Sequence, residues 1–274
     1  MDDRVDRDDI DSFPLARYAA EYWPAHARVE IVSSHIMDGM ERLFDADKPH
    51  FATWLWIYNR DRDNISMSTK RPEEPETVPL YYAARLGLPD LAERLIVEHP
   101  EHVNARGGMY STPIHAAVNF GHAKILSLLI ERGADIEGRS RSIYSGTLLN
   151  RAAWNRRLDV GQFLLDHGAN IDCRDNSCCT PLIYTVLRDD VEFSRMLLER
   201  GAAVDASGGS QDRTSLHRAI AWKMPQLVQL LLEHGADVNV RDENGITPCE
   251  LASSCGSQEI VELMSAYGAE SLKR

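Results

Sequence analysis

The stretch TPIHAAVNFGHAKILSLLIERGA, residues 112–134, decides the reading of this chain, because both of its ends recur on a fixed period. The closing Gly133-Ala134 returns as Gly168-Ala169, Gly201-Ala202, Gly235-Ala236 and Gly268-Ala269, at intervals of 35, 33, 34 and 33 residues. The opening Thr112-Pro113-Ile114-His115 returns as Thr147-Leu148-Leu149-Asn150, Thr180-Pro181-Leu182-Ile183, Thr214-Ser215-Leu216-His217 and Thr247-Pro248-Cys249-Glu250, with Val78-Pro79-Leu80-Tyr81 ahead of them all. Two places after each block stands a small residue: Ala83, Ala117, Ala152, Thr185, Ala219 or Ala252.

Each end carries its own physics. Thr caps a helix, and Pro is tolerated at the first helical position, where its missing N–H was unpaired anyway. The small residue one turn later lets neighbouring helices approach closely. Apolar residues at helical spacing then mark a second helix: Ile125, Leu128 and Leu129; Val160, Phe163 and Leu164; Leu227, Leu230 and Leu231; Ile260, Leu263 and Met264. The Gly of each Gly-Ala suits a left-handed helix stop. A period near 33 favours an open stack of small units over a globule with one central pocket.

These linked signatures resemble the ankyrin repeat, six times over residues 77–270, at about 77–110, 111–145, 146–178, 179–212, 213–245 and 246–270. The resemblance implies an all-α solenoid whose units are two antiparallel helices plus a hairpin loop, each burying its neighbour's face. The loop Arg241-Asp242-Glu243-Asn244-Gly245-Ile246-Thr247 shows the turn chemistry most clearly. Departures are local. The first repeat ends His99-Pro100 in place of Gly-Ala, and Arg156, Asp189 and Lys223 stand where the second repeat has Gly121 between its helices, which predicts strained turns there.

Composition sets the outer bounds. The 274 residues include 43% apolar residues, ample for a folded core, and carry a formal net charge of −12. That charge argues against a general nucleic-acid binder, since phosphate neutralisation needs a basic face. Met1 is followed by Asp2, Asp3, Asp6, Asp8, Asp9 and Asp11, the opposite of a basic leader, and the longest apolar candidate, residues 52–58, is far too short to span a bilayer. The expectation is a cytoplasmic protein, with a nuclear location left open and no membrane partner. Cys173, Cys178, Cys179, Cys249 and Cys255 lack the spaced pairs that zinc favours and read as buried or incidental thiols.

Ahead of the repeats, residues 1–12 read as a disordered acidic tail, 13–60 as a helical N-terminal cap or linker segment, and 61–76 as a charged, Pro-rich linker. Tyr18-Ala19-Ala20 with Tyr22-Trp23-Pro24-Ala25-His26-Ala27-Arg28, and Leu43-Phe44-Asp45 with Lys48-Pro49-His50-Phe51 and Trp54-Leu55-Trp56-Ile57-Tyr58, resemble the segment that joins a NACHT-type nucleotide-binding unit to ankyrin repeats in fungal NLR-like receptors. No Gly-x-x-x-x-Gly-Lys-Ser/Thr loop occurs in the sequence. The resemblance implies the sensor or regulatory part of such a receptor without its ATPase domain. The competing reading of this segment is a helical cap over the first repeat's apolar face.

No catalytic, cofactor or metal residues emerge from this reading. His115 and His217 lack a nucleophile pattern and are expected to tie one hairpin to the next. Asp189-Asp190 and Asp242-Glu243 fall in turns, as caps or solvated charges, so an enzyme is not expected. A binding surface is. The ankyrin resemblance puts the concave side at hairpin tips and the exposed positions of each first helix. There stand Arg85, Phe120, Arg139, Arg141, Arg151, Trp154, Arg156, Arg188 and Trp222, with Arg106, Arg157, Arg174 and Arg213 nearby. Large aromatics at exposed sites are enriched in interaction hot spots, and Arg pairs with carboxylates in forked geometry. The expectation is a groove centred on repeats three to five that grips an acidic protein segment, with no small-molecule substrate and no cofactor. The competing reading is that these are scattered surface charges and that Trp154 and Trp222 pack against adjacent repeats.

Overall fold

The computed structural model describes residues 77–140 and 146–271. The expected tail, cap and linker before residue 77 lie outside the described residues, as does Arg141. The chain divides into two compact units, one ending at Ala134 and the other starting at Asp135.

The first unit contains α1 (Pro79–Leu86), α2 (Pro89–Glu98), a 3-10 turn (Pro100–Asn104), α3 (Pro113–Phe120) and α4 (Ala123–Glu131). Helix α1 packs on α2 and α3, while α4 packs on α2 and α3. The second unit holds α5 (Leu148–Trp154), α6 (Leu158–Asp166), α7 (Pro181–Leu187), α8 (Val191–Glu199), α9 (Ser215–Ala221), α10 (Pro225–Glu233), α11 (Pro248–Cys255) and α12 (Gln258–Ser271). Its first helices form one row, α5 on α7 on α9 on α11, and its second helices another, α6 on α8 on α10 on α12. The only strands among the described residues are β1 (Ser207–Gly208) and β2 (Arg213–Thr214), a two-residue antiparallel pair in one hairpin. The fold is the helical repeat array that the sequence period predicts.

Local chemistry explains the starts and stops. Thr180, Thr214 and Thr247 accept hydrogen bonds from the backbone N–H three residues on, and Thr247 with Glu250 completes a capping box. At Thr112 and Thr147 the hydroxyl instead meets the side chain three residues on, His115 Nδ1 at 2.7 Å and Asn150 Oδ1 at 2.9 Å. Gly133, Gly168, Gly201 and Gly235 are left-handed, and the N–H of the following Ala returns to a carbonyl five residues back at 2.9–3.0 Å.

The fifth Gly-Ala departs from expectation: α12 runs through Gly268 and Ala269 to Ser271. The sequence continues from Ala269 as Glu270-Ser271-Leu272-Lys273-Arg274, without an Asp- or Gly-based turn, so the backbone keeps its helical bonds rather than exchanging them for a hairpin. The inter-helix turns match their expectation. Arg156, Asp189 and Lys223 have φ of 56°, 52° and 58°, in the left-handed region that Gly87, Gly121 and Gly256 occupy in the other repeats.

Burial follows the helical stripe. Ile125, Leu129, Val160, Leu164, Leu227, Leu230, Leu231, Ile260 and Met264 are buried, whereas Leu128, Phe163 and Leu263 lie at the edge of their stripes and are half-buried.

Candidate protein-interaction site

One tie recurs within both units and sets the scaffold. The fourth residue of the Thr-Pro-Leu-His block reaches a backbone group 29 positions on. Tyr81 Oη accepts from Tyr110 N–H at 3.1 Å, Asn150 Nδ2 donates to Cys179 O at 3.0 Å, and His217 Nε2 to Ile246 O at 3.0 Å. His217 therefore joins one hairpin to the next as expected, and Asn150 performs the same task with an amide. Below the Asn150 and His217 ties a buried Asp builds the hairpin. Asp175 Oδ1 accepts from the N–H groups of Ser177 and Cys179, and Asp242 Oδ1 from those of Asn244 and Ile246.

Against this scaffold the anticipated surface residues separate. Arg85 is corrected: it is 7% exposed, because α1 packs against both α2 and α3 and all eight of its residues are buried. Phe120, also in the first unit, is half-buried, edge-on to Tyr110 at 5.5 Å and stacked over His122.

Several arginines of the second unit are held by the scaffold itself. Arg139 donates to Arg174 O at 2.8 Å, Arg174 to Ser207 O at 2.8 Å, and Arg213 pairs with Asp242 at 3.0 Å. These guanidiniums link successive hairpin tips. Arg156, half exposed, reaches from its own inter-helix turn to the buried Asp190 in the turn of the next repeat, at 3.5 Å.

Arg151, Trp154 and Arg188 come together on α5 and at the end of α7. Trp154, the last residue of α5, is half-buried, and its ring meets Tyr184 of α7 edge-to-face with centroids 5.7 Å apart. The Arg188 guanidinium, one residue past α7, lies 5.0 Å from the Trp154 ring centre. Gly146, Asn150, Arg151, Trp154 and Tyr184 line a shallow depression here. The Tyr184 hydroxyl donates to Asp175, which locks the ring in place. Burial, then this bond to Asp175, pushes the Tyr184 hydroxyl well above its usual range, so it remains a neutral donor.

Tyr184 was not singled out in the sequence. Its signal lies in the column of equivalent positions: one 33-residue step from Arg151 lands on Tyr184, and the next step of 34 lands on Arg218. Arg218 donates to Gly208 O at 2.5 Å. A parallel column holds Asn155, Arg188 and Trp222, the helix C-caps of α5, α7 and α9. Trp222 is 57% exposed, so it does not pack into the stack.

Other chemistry is sparse among the described residues. Burial pushes the thiols of Cys173 and Cys179 up to about 11, where a nucleophilic thiolate is scarce at neutral pH. No helix among the described residues is long and apolar enough to cross a membrane. One group of metal-donor side chains gathers, at the end of α2.

Comparison with known proteins adds the family. Residues 80–175 and 172–242 match the family described as ankyrin repeats (3 copies). The chain is 35% identical over 141 residues to azaphilone pigments biosynthesis cluster protein L of Monascus ruber, covering 46% of this chain and 29% of that protein. It is 31% identical over 159 residues to ankyrin repeat protein nuc-2 of Neurospora crassa, covering 57% of this chain and 14% of that protein. The chain thus spans less than a third of the length of either relative. The crystal structure of the ankyrin repeat domain of Bcl-3, a member of the IkappaB protein family, aligns with a TM-score of 0.63 at 26% identity, covering 69% of this chain and 82% of that one.

Proposed function

Because the chain belongs to the ankyrin-repeat family, which serves in general as a non-enzymatic interaction module, we propose that its second unit binds an acidic segment of a protein partner through Arg151, Trp154, Tyr184 and Arg188. The observation that carries this reading is the Arg188 guanidinium lying over the Trp154 ring, 5.0 Å from its centre, beside Tyr184. The guanidinium carries five N–H donors in a fork that matches a carboxylate. Trp, Tyr and Arg are the residue types that dominate interaction hot spots. Trp222, exposed on the neighbouring repeat in the column of Arg188, extends the surface.

Charge supplies selectivity. On a chain of net charge −12, a local cluster of arginines attracts an acidic segment that the rest of the surface repels. The same overall charge disfavours nucleic acid as the partner, and no small-molecule substrate, cofactor or membrane enters the reading. The interaction belongs in the cytoplasm, with the nucleus also open to it.

The test is a displayed peptide library selected on the full chain, with affinities measured for the enriched peptides. Enrichment of acidic sequences is expected. Trp154→Ala with Arg188→Ala is expected to weaken their binding by about thirtyfold, the loss of one hot spot of about 2 kcal/mol. A double variant that keeps its melting temperature and binds as tightly as the parent ends the reading.

A second reading, a sensor or regulatory part of a NACHT-type receptor, rests on the likeness within residues 18–58, which lie outside the described residues. In both fungal relatives the region matching this chain is part of a longer protein. An in-frame phosphate-loop motif in the transcript upstream of Met1 is its expected mark.

A further inference from the structure

The first repeat lacks the Gly-Ala stop, and the residues that replace it bring three metal-donor side chains together. Helix α2 ends at Glu98 with His99 as its C-cap, and Pro100 opens the 3-10 turn Pro100–Asn104. A 3-10 turn holds three residues, so side chains three apart eclipse one another. His99 and His102 accordingly stack, with ring centres 4.8 Å apart and planes 25° from parallel. Glu101 lies against both: its Oε1 is 3.3 Å from His99 Nδ1 and 3.8 Å from His102 Nε2. One donor atom from each of the three residues lies within 4.8 Å of the other two.

The chemistry suits a cation that prefers nitrogen. We propose that His99, Glu101 and His102 form a solvent-open site for a divalent transition ion of the zinc type, with two imidazole nitrogens and one carboxylate oxygen as ligands and water completing the shell. Bonds of about 2.0–2.1 Å place tetrahedral zinc donors roughly 3.3 Å apart. The His99–Glu101 spacing already has that value, and the Glu101–His102 spacing of 3.8 Å is about half an ångström longer. Side-chain exposures of 46% for His99, 64% for Glu101 and 21% for His102 leave the group open to a hydrated ion. Imidazole ligands select Zn2+, Cu2+ or Ni2+ over Mg2+ and Ca2+. The site sits where the chain forgoes the usual glycine turn, so the bound ion would clamp that turn.

The test titrates the full chain, cleared of metal by chelation, with ZnCl2 in a non-coordinating buffer, by calorimetry and by thermal melting. The expected result is a saturable site in the parent, weakened about tenfold or more in His99→Ala with His102→Ala, and a zinc-dependent rise in melting temperature that the double variant lacks. Superimposed isotherms of parent and double variant, or no saturable site in the parent, overturn the proposal. Should the double variant fail to fold, Glu101→Ala at the most exposed ligand replaces it, and unchanged zinc affinity there overturns the proposal equally. Because the chain also has five cysteines, Co2+ is added as an optical probe. A thiolate charge-transfer band at the stoichiometric point places the ion on sulfur and overturns the assignment to His99, Glu101 and His102.

Discussion

His217 and Asp242 show how single side chains couple hairpin ties to pH. A carbonyl only accepts, so His217 Nε2 carries the proton it gives to Ile246 O, and Nδ1 takes the Thr214 hydroxyl hydrogen at 2.8 Å. Burial holds this imidazole below its ordinary range, with the Ile246 carbonyl and Asp242 opposing and Arg213 and Arg218 assisting. The unfolded chain therefore takes up the proton first on acidification. The stability His217 contributes is complete above about pH 6.5 and is lost as the pH falls towards its depressed folded value. For Asp242 burial disfavours the charge, but the Ile246 N–H, Arg213 and the Asn244 N–H outweigh it and hold the carboxyl below its usual range. Its contribution is present above about pH 3.9 and is lost as the pH falls through the lower folded value. Melting temperature against pH is thus expected to fall in two acid steps. His217→Asn, which copies the amide tie of Asn150, is expected to remove the upper step. Asp242→Asn is expected to remove the lower step and to cost roughly 3 kcal/mol at neutral pH, because Arg213 loses its carboxylate.

Within the helical elements, one position carries opposite expectations in different repeats. Lys223 is exposed in the turn between α9 and α10 with φ of 58°. Left-handed backbone costs a side-chain-bearing residue about 1–2 kcal/mol, and glycine adds back about 0.4–1 kcal/mol through the unfolded chain. Lys223→Gly is therefore expected to raise the urea-unfolding free energy by roughly 0.5–1 kcal/mol. Gly87 holds the equivalent turn between α1 and α2, but there a Cβ would come within 2.6–2.9 Å of the His122 ring atoms. Gly87→Ala combines backbone strain with that clash, so a loss of about 2 kcal/mol or more is expected in the same assay. The turns tolerate Arg156, Asp189 and Lys223 because their side chains are exposed, and a ring stacked on the turn removes that latitude.

On the scale of the whole molecule, stability divides among neighbours. In the second unit each first helix packs on the next first helix, and each second helix on the next second helix. Leu164, fully buried in α6, is expected to cost about 2–5 kcal/mol when changed to Ala. Amide exchange is expected to quicken first in α5–α8 and last in α11 and α12, since repeats transmit stability through nearest-neighbour interfaces. Exchange that rises uniformly across the second unit would instead mark it as a single cooperative block.

The period of Gly-Ala, the Thr-Pro starts and the apolar stripes are local and repeated, so the letters alone carry the helices, their order and the family. The same locality makes Arg156, Asp189 and Lys223 legible as strained turns. The partner surface was legible only as a set of residue types. Whether an arginine is free to bind depends on carbonyls and carboxylates about one repeat away in the chain, which folding brings alongside: Arg139 meets Arg174, Arg213 meets Asp242, and Arg85 is enclosed between helices. Trp154, Tyr184 and Arg188 come from two different helices, and so do not appear as a cluster in one stretch of chain. The His99, Glu101 and His102 group escaped notice for the converse reason. Its members are adjacent in the chain, but it took the 3-10 geometry after α2 to turn them towards a common point.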